Sequence, residues 1–160
     1  MFQDTISRRG MLIGSATVLF AGLPRLSLAQ SGGPSMHVLK DPNCGCCSAW
    51  IEILERDGFS VTLEASEGAV LARYKSENGI PQSMVSCHTG RIDGYMVEGH
   101  VPVADIRRLL MERPDAIGLA VPGMPYGSPG MGPESEREAY DVFLIRHDGS
   151  TEVFTSYNAA

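Results

Sequence analysis

The chain has 160 residues, with 13 lysines and arginines against 19 aspartates and glutamates, a formal charge of −6. A surface this acidic repels phosphate backbones and anionic headgroups, so neither nucleic acid nor a membrane surface is an expected partner. The four cysteines stand at Cys44, Cys46, Cys47 and Cys87. Three of them within four residues is poor spacing for stapling a fold, which points to site chemistry instead.

Residues 1–29 read as an export address. Ser7-Arg8-Arg9 precedes an apolar run from 11 to 23 and the small-residue cleavage site Ser27-Leu28-Ala29. The paired arginines resemble the twin-arginine signal, although Met11 and Ile13 stand where that pattern more often has phenylalanine and lysine. The apolar run is shorter than the roughly 20 residues that cross hydrocarbon, so no membrane anchor is expected after cleavage. Cutting after Ala29 leaves about 131 residues, the size of one domain. Losing Asp4, Arg8, Arg9 and Arg25 also takes the charge from −6 to −8.

After a leader over 30–35, the mature domain is expected over 36–160, opening with a strand over 36–40. Asp41-Pro42-Asn43 then turns the chain. From Cys46, helical spacing of Cys47, Trp50, Ile51 and Leu54 predicts a helix stopped by Gly58. A strand over 59–63 and a helix over 68–78 follow. The pattern continues with a strand over 80–87 entered through Pro81, turns at His88-Thr89-Gly90 and Asp93-Gly94, a strand over 95–98 and a helix over 103–113. This β-α-β-α-β-β-α order predicts an α/β fold of thioredoxin-like arrangement. Residues 119–131 hold too many prolines and glycines for regular structure, and 140–146 with 151–155 read as a C-terminal hairpin.

The chemistry concentrates in Cys44-Gly45-Cys46-Cys47 at a helix N-terminus, where free N–H groups and the dipole favour thiolate. Thiolates are soft ligands that prefer Cu(I) and also take zinc. Cys44 and Cys47 form a C-x-x-C pair as well, whose spacing suits reversible disulfide exchange. In thioredoxin-like proteins a cis-proline opens the strand facing that loop, and Ile80-Pro81 stands at that place. Pro81 is therefore expected to be cis and structural, with its strand bringing Cys87 and His88 to the site. His100 flanks a turn and is a further candidate ligand, as are Met124 and Met131 in the Pro/Gly-rich loop, whose thioethers bind Cu(I) without deprotonation. Met84 and Met96 are expected in the core, and His37 and His147 outside any site.

Taken together, several segments resemble the CopG-like periplasmic copper-resistance proteins, a metal-binding domain of formerly unknown function. They are the Cys44-to-Cys47 run, Ile80-Pro81, Ser86-Cys87-His88-Thr89, Gly94-Tyr95, Glu98-Gly99-His100-Val101-Pro102, Gly123-Met124-Pro125 and Gly127-Ser128-Pro129-Gly130-Met131. The resemblance covers residues 36–131. It implies a thioredoxin-like fold and a periplasmic location. It also implies copper held by Cys44, Cys46, Cys47 and Cys87 as a multinuclear cluster, with Cu(I)/Cu(II) redox activity. A periplasmic copper carrier or efflux protein would be the partner, and enzyme against carrier stays open. The residues also permit a thiol-disulfide oxidoreductase using Cys44 and Cys47, against which the third thiol, Cys46, argues because it would scramble the pair. A zinc-binding structural module is the other alternative.

Overall fold

The structure is a computed structural model that describes residues 32–160, so the expected export signal lies outside the described residues. Seven strands form one mixed sheet. They are β1 (Ser35–Lys40), β2 (Ser60–Ala65), β3 (His88–Ile92), β4 (Tyr95–Glu98), β5 (Gly118–Ala120), β6 (Tyr140–Ile145) and β7 (Thr151–Tyr157). The helices are α1 (Gly45–Arg56), α2 (Gly68–Glu77) and α3 (Val103–Glu112). The spatial order is β2-β1-β3-β4-β5-β6-β7, with β1/β2 and β4/β5 parallel and the other pairs antiparallel. The protein is thus an α/β fold, and its first seven regular elements follow the expected order.

Alternation along the strands divides the core into two layers, because neighbouring strand residues point to opposite faces. Val97, Leu119 and Leu144 face one layer with Trp50, Ile51 and Leu54 of α1 and Ile106 and Leu109 of α3. Met96, Ala120 and Ile145 face the other, with Ile80, Met84 and Tyr74. Met84 and Met96 are core residues, as expected. Trp50 and Leu54 have no exposed surface. Truncating a buried leucine such as Leu54 to alanine costs about 2–5 kcal/mol.

The expected strand over 80–87 is absent. Pro81 is trans, since the described residues contain no cis peptide bond, and it caps a 3₁₀ turn over Gln82–Met84. The Met84 amide donates to the Pro81 carbonyl at 2.8 Å, which tucks Met84 into the second core layer. The strand starts at His88, just beyond the end of the expected one, so His88-Thr89-Gly90 belongs to β3 and is not a turn. Strand β5 was not expected and overlaps the start of the segment read as a loop. Its first residue, Gly118, approaches β4 so closely that a Cβ there would lie 1.8 Å from the Met96 carbonyl oxygen. No other residue fits that contact.

Candidate metal centre

Strand β1 delivers the chain to the site. Beyond Lys40, the Asp41 carboxylate accepts the Asn43 amide at 2.8 Å and the Asp41 carbonyl accepts the Cys44 amide at 3.0 Å, closing a tight turn. Cys44 occupies the N-cap of α1 without a side-chain capping bond, and no acidic residue lies in the first turn. The free amides at this end therefore have no carboxylate to satisfy them and favour an anionic sulfur nearby. Buried Lys40 reinforces this arrangement. Its ammonium donates to the carbonyls of Asp41, Pro42 and Cys44 at 3.0, 3.3 and 3.3 Å, fixing the turn beneath the cysteines.

The four sulfurs converge. Cys44 and Cys47 are joined in a disulfide, while Cys46 and Cys87 are free thiols. The Sγ atoms of Cys44 and Cys46 are 3.4 Å apart, as are those of Cys47 and Cys87, and all four lie within 4.8 Å of one another. Cys87 also belongs to a second group of three. Its Sγ is 3.3 Å from His88 Nδ1 and 3.1 Å from His100 Nε2, with the three ligand atoms again within 4.8 Å.

Both histidines are fully buried. His100 donates from Nδ1 to the Pro129 carbonyl at 2.8 Å. The neutral ring then turns its Nε2 lone pair toward Cys87, as an oriented metal-ligating imidazole does. His88 packs against the Trp50 ring at 4.3 Å, and its Nε2 is buried with no hydrogen-bond partner. Burial, with His100 and Lys75 nearby, holds the His88 imidazole well below its usual range, and burial lowers His100 too. Both are therefore neutral and able to ligate at pH 7. The Cys87 thiol is pushed up to about 11, chiefly by burial and next by Cys46, against a hydrogen bond from Ser86. It keeps its proton until a cation takes the proton's place.

The segment carrying Cys87 is anchored from behind. The Ser86 amide donates to Glu98 Oε1 at 2.7 Å, and Glu98 also accepts from the Lys75 ammonium at 2.5 Å and the Thr89 hydroxyl at 2.6 Å. Lys75, Thr89 and Glu98 are all buried. Burial raises the Glu98 pKa, opposed by the Lys75 charge. Lys40, Trp50 and Lys75 carried no legible site signal in the sequence, because each acts through contacts that only the fold creates, and Glu98 entered only as part of the Glu98-to-Pro102 resemblance.

The Pro/Gly-rich loop closes the other side. At Gly130, which has φ +85°, a Cβ would lie 2.7 Å from the Trp50 amide nitrogen and 2.9 Å from the Cys46 carbonyl oxygen. A side chain there would lift the loop from α1. Met131 follows directly and is partly buried, whereas Met124 is 55% exposed. Met124 follows Gly123, whose carbonyl accepts the Ser86 hydroxyl at 2.5 Å. Both methionines thus follow glycines whose backbone touches the segments that carry the site. His37 and His147 lie on the surface, 3.2 Å from Glu64 and Asp115.

Two solved structures match this chain. One, titled Copper resistance protein copG, form 2, is 50% identical, covers 78% of this chain and 98% of its own, and superposes with a TM-score of 0.71. The other, form 1 of a protein of the same title, is 48% identical, covers 79% and 100%, and gives a TM-score of 0.74. The chain belongs to the CopG family. A sequence profile described as Protein of unknown function, DUF411 also matches residues 84–131. Comparison with curated protein sequences finds no match. Within this CopG-family chain the profile spans Cys87, His88, His100, Met124 and Met131 but starts after the cysteine run. The site is therefore assembled from two separate stretches, one on α1 and one from β3 through the Pro/Gly-rich loop.

Proposed function

We propose that this chain is an exported periplasmic protein that captures Cu(I) for copper resistance, by sequestration, transfer to a carrier or efflux protein, or Cu(I)/Cu(II) cycling. The observation that carries the reading is the convergence of four sulfurs and two neutral imidazoles around Cys87. The donor set suits soft copper, because thiolate and imidazole are its preferred ligands and the hard oxygen donors that calcium or magnesium require are absent from these two groups. Four thiols within 4.8 Å allow sulfurs to bridge, so more than one ion fits the reduced site. Cys44, Cys46, Cys47 and Cys87 would supply thiolate, His88 and His100 imidazole, and Met131 and Met124 a thioether on the open side. The Lys75–Glu98 pair and Lys40 would hold the two stretches at fixed separation. We read β1 through α3 as the thioredoxin-like part of the 36–160 domain, with β5 to β7 added at its edge.

Titrating reduced protein with Cu(I) against a competing chelator tests the reading. Submicromolar binding supports it, and micromolar or weaker binding contradicts it. Export is tested separately. N-terminal sequencing of periplasmic material should begin near Gln30, and replacing Arg8 and Arg9 with lysine should block export by the twin-arginine route.

The Cys44–Cys47 disulfide favours a second reading, thiol-disulfide exchange. Cys46 Sγ, 3.4 Å from Cys44 Sγ, opposes it, because a thiol that close can attack the pair and scramble it. Insulin reduction by the dithiol protein at rates typical of a dedicated oxidoreductase would establish this second reading.

A further inference from the structure

The Cys44–Cys47 bond has a consequence for the metal site, because sulfurs joined to each other carry no thiolate charge and are poor ligands. With that bond in place the four-thiol group loses two members. The group of Cys87, His88 and His100 loses none. We infer that the disulfide form of this chain keeps a small mixed site of Cys87, His88 and His100, with the free Cys46 thiol within 4.8 Å of Cys87, and that reducing Cys44–Cys47 enlarges it to the four-thiol site. Copper capacity is then set by the thiol state of one C-x-x-C pair. This rests on the copper-binding reading above.

The geometry separates the two groups along the chain. Cys44 caps α1 and Cys46 and Cys47 stand on its first turn, whereas Cys87 immediately precedes β3, His88 opens that strand and His100 follows β4. The second group meets α1 through the Trp50 ring beneath His88, through Cys47 Sγ beside Cys87 Sγ and through Gly130, which follows the Pro129 that holds His100. Backbone bonds hold it together, with the Gly99 amide donating to the His88 carbonyl at 3.0 Å and His100 tied to Pro129 at 2.8 Å. Neither bond involves Cys44 or Cys47. Cys87 belongs to both groups, and its Sγ is 3.4 Å from Cys47 Sγ. A copper ion on Cys87 is therefore already beside the sulfur that reduction would release.

The switching step balances with an external dithiol reductant. One of its thiolates attacks a sulfur of the Cys44–Cys47 bond, and its second thiol displaces the mixed disulfide. The reductant leaves as its own disulfide, and its two electrons and two protons remain on Cys44 and Cys47. Those protons are lost as the thiols take copper.

The test compares two preparations of residues 30–160, one with Cys44–Cys47 oxidised and one fully reduced, verified by alkylation and mass measurement before and after loading. Each is titrated anaerobically with Cu(I) against a chelator and examined by copper X-ray absorption. The disulfide form should take about one equivalent in a mixed sulfur and nitrogen shell, and the reduced form more copper in a sulfur-dominated shell. Cys87→Ser should abolish uptake by the disulfide form. A Cys44→Ser, Cys47→Ser double variant should reproduce the one-equivalent shell with or without reductant, and circular dichroism of each apo variant checks its fold. Equal uptake by the two forms, or no uptake by the disulfide form while the reduced form loads, would overturn the inference and leave the copper reading standing. Failure of both forms to bind would overturn both.

Discussion

The Sγ atoms of Cys47 and Cys87 stand 3.4 Å apart although forty residues separate them in the chain. The contact exists because β1 and β3 are antiparallel neighbours, with Lys40 opposite His88. The turn leaving β1 and the segment entering β3 therefore meet at the same end of the sheet.

Replacing Cys87 with serine should leave the fold intact, since the residue is only partly buried and its packing is small. The stability change should stay within about 1 kcal/mol. Cu(I) affinity should fall at least tenfold, about 1.4 kcal/mol. Cys46→Ser should also weaken binding while leaving Cys44 and Cys47 able to oxidise. Parallel chemical denaturation and chelator competition measure the two quantities. Full binding by the Cys87 variant would confine the site to the start of α1.

This meeting point was legible in the sequence, but for a reason the structure does not bear out. Cys87 was expected near the cysteine run through a strand entered at a cis Pro81, whereas Pro81 is trans and opens a 3₁₀ turn. The element order survived that error because apolar periodicity marks β1, α1, β4 and α3 plainly. The short β5 did not show, since three residues beginning with Gly118 carry no alternation to detect. Cys44, Cys46 and Cys47 stood out as a local pattern. His100 was harder, because its glycine and proline neighbours suggest exposure and its burial comes from the loop carrying Pro129 and Gly130.

Gly130→Ala should loosen that loop. The new Cβ would press on the Trp50 amide and the Cys46 carbonyl, and φ +85° disfavours any side chain. A loss of about 1–3 kcal/mol is expected. Weaker tethering of His100 should appear as faster hydrogen exchange in residues 127–131. Unchanged stability and exchange would show that the loop does not bear on α1 in this way.

Stability of the metal-free protein should fall as pH drops from 7 to 5. Burial lowers the His88 and His100 pKa values below the ordinary imidazole value of about 6.5, so the unfolded chain binds protons there that the folded chain refuses. The stabilisation is present above pH 6.5 and is lost below it, at up to about 1.4 kcal/mol per pH unit for each histidine. His100→Gln should reduce the slope. A flat profile between pH 5 and 7 in thermal unfolding would contradict the buried neutral rings.

The most direct measurement is copper X-ray absorption with metal analysis on reduced, anaerobically loaded protein comprising residues 30–160. The account predicts Cu(I) in a sulfur-dominated first shell, with a nitrogen contribution that disappears when His88 and His100 are replaced. Copper bound only through oxygen and nitrogen, or a spectrum unchanged by Cys87→Ser, would contradict it.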